Sequence, residues 1–230
     1  MMEGDPMLNR TTAVRLGGIC GILYLILFIP SYLSAPDTPV STSSPQDVID
    51  YFSNRQSESL IANGLLLVFA AFFFLWFLGV LHGVLQGVEE GEGYGFSSVS
   101  LVGGLLFVAL MLAGAAVEVG YPAALARFEN FQHDAQLGFL SLALSGWMYR
   151  FAFVGMSVLI AATSVVALRT GVLPGWLAWA GLVAALVALL RFLGPLGGWL
   201  ALLWVAAVSV LMLVGGVRST EGPHVHRMRS

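Results

Sequence analysis

Apolar and polar positions alternate along the chain in long blocks. Six apolar runs, at 13–33, 60–85, 97–119, 147–168, 177–193 and 199–217, are separated by polar stretches rich in Gly, Pro, Ser and charge. A transmembrane helix needs about 20 mostly apolar residues, and each run is close to that length. The pattern predicts an all-α protein, a bundle of six transmembrane helices spanning 13–217. A short polar tail at 1–12 precedes it and a basic tail at 218–230 follows.

The connections differ in kind. Residues 34–59 form the longest polar segment, and Pro36, Pro39 and the Ser/Thr cluster at 41–44 read as irregular loop. In Ser44-Pro45-Gln46-Asp47, a capping serine, a proline suited to the first helical position and an acid three residues on mark a helix start. Val48, Tyr51, Phe52 and Arg55 follow at helical spacing. A short amphipathic outer helix is therefore expected ahead of the second span. Residues 87–95 form a Gly/Glu loop holding Glu89, Glu90 and Glu92. Its glycines are no phosphate cradle, because the loop follows no strand, lacks the lysine and carries repelling carboxylates. Residues 120–146 are ambiguous. Pro122 follows the third span, Arg127, Glu129, His133 and Asp134 make the stretch amphiphilic, and its apolar part at 136–144 is too short to cross. An interfacial helix and a re-entrant segment both fit. Tight turns are expected at 171–176 and 194–198.

Composition removes the soluble alternatives. Hydrophobic residues make up 58% of the 230 and charged residues 10%, against roughly half and a quarter in soluble domains. Lipid is the solvent that such a surface fits, so the bilayer is the first expected partner. A net charge of −3 gives no reason to expect nucleic acid as a partner. All ten basic residues are Arg, a usage that suggests a GC-rich bacterial genome. Six spans place both termini on one side, together with Arg10, Arg15, Arg169, Arg218, Arg227 and Arg229, while Arg55 and Arg127 lie opposite. Positively charged loops stay inside, so both termini are expected in the cytoplasm of a bacterial plasma-membrane protein. The first span has the charged flank of a signal peptide in Arg10 and Arg15. Its length, and Pro36 just past the one small-residue site, predict that it is retained.

Candidate chemistry is sparse. Charged groups inside spans are costly and are usually paired or functional. Glu118, Arg150 and Arg191 are expected at similar depth in the outer leaflet, as one intramembrane polar cluster. The alternative is that the two arginines snorkel to headgroups while Glu118 sits in the interface. His82 lies at the other membrane face, and His224 and His226 in the tail lack a third ligand, so no metal site and no cofactor is expected. The single Cys20 reads as packing. Gly155-Met156-Ser157 is similar to the surroundings of intramembrane serine nucleophiles, but no histidine base falls within reach, and no catalytic residue is assigned. Aromatic residues at 69, 72, 73, 76 and 77 form a packing or lipid-facing stripe. Gly17 and Gly21, and Ala180, Ala184 and Ala188, form small-residue rows that let helices approach closely, within one bundle or between two copies.

Three segments carry a resemblance: Ser44-Pro45-Gln46-Asp47-Val48-Ile49-Asp50-Tyr51-Phe52, Phe77-Leu78-Gly79-Val80-Leu81, and above all Arg169-Thr170-Gly171-Val172-Leu173-Pro174-Gly175-Trp176-Leu177-Ala178-Trp179. In these the chain resembles small six-helix membrane proteins of high-GC Gram-positive bacteria, a family described only as domain of unknown function 4386. Such proteins often carry Arg where Gly175 stands here. The resemblance implies a fold and a location, and no activity. The expected role is therefore non-enzymatic: accessory, sensing or structural, with a homo-oligomer or another membrane protein as possible partner. The rival is a small-molecule or ion transporter using the Glu118 cluster. A cavity reaching Glu118 favours the rival, whereas a filled bundle favours the accessory role.

Overall fold

The computed structural model describes residues 6–33, 39, 42–52, 55–89, 95–130, 134–190 and 196–216. Seven helices account for nearly all of them, and no strand occurs among the described residues. They are α1 (Pro6–Leu33), α2 (Pro45–Phe52), α3 (Arg55–Glu89), α4 (Phe96–Arg127), α5 (Ala135–Thr170), α6 (Gly175–Leu189) and α7 (Leu196–Val214). Five of these, α1, α3, α4, α5 and α7, are long and apolar enough to cross a membrane. The protein is thus a helical bundle of multi-pass membrane type. The sixth apolar run yields α6, which at 15 residues extends about 22 Å, less than a typical hydrocarbon core of about 30 Å. Residues 191–195, including the candidate Arg191, and the tail at 217–230 lie outside the described residues.

The helices run alternately up and down. One end of the bundle, here called the near end, holds the start of α1, the α3–α4 and α5–α6 connections and the end of α7. The far end holds α2 and the other connections. Contact between α1 and α7 closes the bundle. A Cβ at Gly18 would stand 2.6 Å from the Ser209 carbonyl, and one at Gly17 2.7 Å from Val80 of α3. At the centre is α5, which packs against α2, α3, α4, α6 and α7. Its buried positions are mostly small, including Gly138, Ala152, Gly155, Ala162 and Thr163. Lipid tails are as apolar as leucine, so transmembrane helices associate by close approach of small side chains. The α4–α5 crossing brings backbone to backbone: a Cβ on Gly103 of α4 would meet Leu159 N at 2.7 Å, and one on Gly155 would meet Gly103 O at 2.6 Å. In α6 the packed row is Gly181, Ala184, Ala185 and Ala188, whereas Ala180 is exposed. The aromatic stripe of α3 splits. Phe69, Phe72 and Trp76 point outward, while Phe74 and Phe77 are fully buried.

The ambiguous stretch at 120–146 is neither an interfacial helix nor a re-entrant segment. Helix α4 continues through Pro122 to Arg127, and α5 runs unbroken from Ala135 to Thr170. At 32 and 36 residues the two helices are about 48 and 54 Å long, well beyond the hydrocarbon thickness. Their far ends thus extend past it as a hairpin. The hairpin tip is pinned by Tyr121, whose hydroxyl donates to the Asp134 carbonyl (2.9 Å) and accepts from the Asp134 N–H (2.8 Å). Asp134 in turn caps α5, accepting from Gln136 N at 2.8 Å.

Helix α2 packs on this hairpin. The expected capping box is present. Asp47 Oδ2 accepts from Ser44 N at 2.7 Å, and Ser44 Oγ accepts from Asp47 N at 3.2 Å. Val48, Tyr51 and Phe52 bury against Leu60, Tyr121, Leu125, Phe139 and Leu142. The Phe52 and Tyr121 rings meet edge to face, 4.8 Å apart, a favoured aromatic geometry. Gly138 leaves room for this docking, since a Cβ there would stand 2.6 Å from Val48 Cγ1.

Candidate functional site

Between α1, α3, α4 and α5, toward the far end, lies a cavity of about 270 Å³. Its floor is aromatic and apolar: Phe28, Leu67, Met111, Ala115 and Phe153. At and beneath this floor Phe107 meets Phe28, Phe74 and Phe153, with ring centroids 5.3–6.5 Å apart, and all four are buried. The cavity is therefore a cup closed toward the near end by a plug of rings. Leu60, in its wall, also belongs to the cluster that seats α2.

Among the described residues one charged side chain lines the cup, Glu118. It ends the apolar run of α4, about 33 Å along the helix from Phe96, which places it near the far boundary of the hydrocarbon. Tyr149 of α5 donates its hydroxyl to Glu118 Oε2 at 2.6 Å, a short charge-assisted bond. Pro122 supplies no N–H to the Glu118 main-chain carbonyl four residues earlier, so the acid sits at a point where the helix ladder is already interrupted. The hydroxyl protons of the other polar liners are committed. Ser31 Oγ donates to the Asn63 carbonyl at 3.3 Å, and Ser145 Oγ donates to the Leu142 carbonyl at 3.2 Å.

Of the expected trio, only Glu118 and Arg150 fall within the described residues, and Arg150 is turned away from the cup. Arg150 is exposed, and its guanidinium lies over the Trp147 ring, 5.1 Å from the centroid. Successive helix residues point about 100° apart, so when Tyr149 faces Glu118, Arg150 faces outward. An arginine stacked on an interfacial tryptophan is the snorkelling arrangement. Arg191 lies outside the described residues. Tyr149 is the member of the site that sequence reasoning missed. The signal available in the sequence was its adjacency to Arg150, a residue already expected beside Glu118.

No protein-family model, curated protein or solved structure matches this chain. The site must therefore be read from its own geometry.

A second polar cluster closes the near end. Glu89, the last residue of α3, accepts from the backbone N–H of Phe96 (2.8 Å) and Ser97 (2.9 Å) at the start of α4. It thereby caps a helix N-terminus whose dipole favours an anion. Arg169 lies over the Phe96 ring at 5.2 Å, and His82 Nδ1 stands 3.1 Å from the Ser97 carbonyl. Each group has a structural task here. Ser157 likewise donates to Phe153 O at 2.7 Å within its own helix, which leaves it unlike an activated nucleophile. No cluster of three metal-ligating side chains occurs among the described residues.

Proposed function

We propose that this protein is a non-enzymatic sensing or accessory membrane protein that binds a small amphiphilic molecule in the cup beside Glu118. In the same proposal it belongs to the six-helix family it resembles, crosses a bacterial plasma membrane six times and keeps both termini in the cytoplasm. One observation carries the ligand-binding reading: an apolar cavity of about 270 Å³ contains, among the described residues, a single acid, oriented by Tyr149. Ligand sites typically combine apolar walls with a few placed polar groups. The cavity reaching Glu118 is the feature expected of the rival transporter, but the ring plug beneath the cup supports binding, because a carrier needs a route to the other side and four buried phenylalanines stand across it.

The test uses the full chain in nanodiscs and para-fluorobenzyl alcohol as a neutral probe followed by fluorine NMR. Saturable binding is expected to the wild type. It should be abolished by Ala115→Phe, which fills the floor, and weakened by Gly146→Leu, whose side chain starts in open space. Signals that are non-saturable, or identical in both variants and the wild type, would refute the reading.

A further inference from the structure

Taking the cup as a binding site, we propose that its ligand class is an organic ammonium ion, a protonated primary or secondary amine on a small apolar body. Four features point to it. First, among the described residues the lining contains one acid and no basic side chain. A carboxylate at the membrane boundary without a cation is costly, and Arg150, the near candidate in sequence, is turned away onto Trp147.

Second, the hydroxyls and the acid of the lining are lopsided toward acceptors, beside the Asn63 amide, which can both donate and accept. A hydroxyl has one proton and two lone pairs, and a carboxylate has only acceptor sites. The protons of Tyr149, Ser31 and Ser145 are all donated to protein oxygens. These groups therefore present lone pairs to a guest, and Glu118 Oε1 adds more. A ligand rich in donors and poor in acceptors completes that set; an ammonium group is such a ligand, and an anion is its opposite.

Third, the surrounding rings suit a cation. Phe28, Phe153 and Tyr149 line the cup, and aromatic faces attract ammonium groups, more strongly once water is excluded. An inorganic divalent ion fits less well, because calcium takes about six to eight oxygen ligands and a single carboxylate supplies too few. Fourth, the volume sets the size. About 270 Å³ is roughly nine waters' worth of liquid volume and just below the range of about 300–1,000 Å³ for drug-sized ligands. A guest of one ring or a short alkyl chain is the match.

The experiment compares three probes of one shape, para-fluorobenzylamine, para-fluorobenzyl alcohol and para-fluorobenzoate, on the full chain in nanodiscs of neutral phosphatidylcholine. The amine is expected to bind at least ten-fold more tightly than the alcohol, and the benzoate more weakly than both. Glu118→Gln should bring the amine-to-alcohol ratio to within about two-fold of one. Equal or weaker amine binding in the wild type would overturn the cation inference while leaving the cup as a site for neutral amphiphiles. A ratio that Glu118→Gln does not change would place the selectivity elsewhere and overturn the assignment to this acid. Absence of saturable binding by all three probes would overturn both the inference and the binding reading on which it rests.

Discussion

Replacing Gly155 by alanine should prise α4 and α5 apart where they come closest. The added Cβ would stand 2.6 Å from Gly103 O and 2.6 Å from Phe107 N, where ordinary contact begins near 3.4 Å. Both obstacles are backbone, so no rotamer change relieves them and the helices must part by roughly 0.8 Å. A gap of about 0.5–1 Å forfeits a quarter to a half of each contact's dispersion well of about 0.1–0.2 kcal/mol. Taken over about 40 atom pairs, as many as one buried leucine makes, the loss is about 2 kcal/mol, within the usual range of about 1–3 kcal/mol for overpacking. Alanine recovers up to about 1 kcal/mol of helix propensity, leaving a net loss of about 1–2 kcal/mol. Gly79→Ala is the control. A Cβ there meets nothing within 4 Å, so that variant keeps the propensity gain and should match or exceed the wild type. Reversible unfolding in mixed detergent–SDS micelles, followed by circular dichroism, measures both. A Gly155→Ala protein as stable as the Gly79→Ala protein would refute the argument. The pair Gly103→Ala/Gly155→Ala should lose less than its parts summed, because one separation serves both.

The Glu118–Tyr149 bond should appear in a double-mutant cycle as a coupling of about 1.5–3 kcal/mol between Glu118→Gln and Tyr149→Phe, the usual size for a hydrogen bond to a charged group. Glu118→Gln and Arg150→Ala should instead add within about 0.5 kcal/mol, and a coupling as large as that with Tyr149 would show that the arginine reaches the cup. For topology, reporter fusions after Thr12, Gly91 and Arg218 are expected to read cytoplasmic and one after Ser43 external. An external signal at Gly91 is incompatible with six crossings.

Local rules were legible in the sequence, and lateral ones were not. The Ser44–Asp47 box lies within four residues and was readable as written. The aromatic stripe of α3 was legible only as packing or lipid contact, and the structure divides it between exposed Phe69, Phe72 and Trp76 and buried Phe77. The extension of α4 and α5 past the bilayer was hidden because Pro122 and the charges at 127–134 look like boundaries in an apolar-run reading. What sustains these turns is docking of α2 from 69 to 90 residues away, through Val48 on Gly138 and Phe52 on Tyr121. Glu118 was found from its cost in lipid alone. Its Tyr149 partner was hidden because charge suggests pairing with charge, while the rotation of α5 delivers the phenol next to Arg150. Glu89 was read as part of a loop because nothing local shows that the α4 N-terminus folds back onto it.

The contact between α1 and α7 has a consequence in time. Gly18 meets the Ser209 carbonyl, and Gly21 meets the Ser209 side chain, with about 190 residues of chain between them. At a synthesis rate of about 5–20 residues per second, the glycine face of α1 waits on the order of 10–40 s for its cover. During that interval α1 and α3 can already pair, but the groove reserved for α7 is bare and faces lipid. A glycine-lined groove is the kind of surface on which transmembrane helices associate. The nascent protein thus has a period of vulnerability to mispairing that ends only with its last helix, and crowding among chains emerging from neighbouring ribosomes would act on that period rather than on the finished bundle.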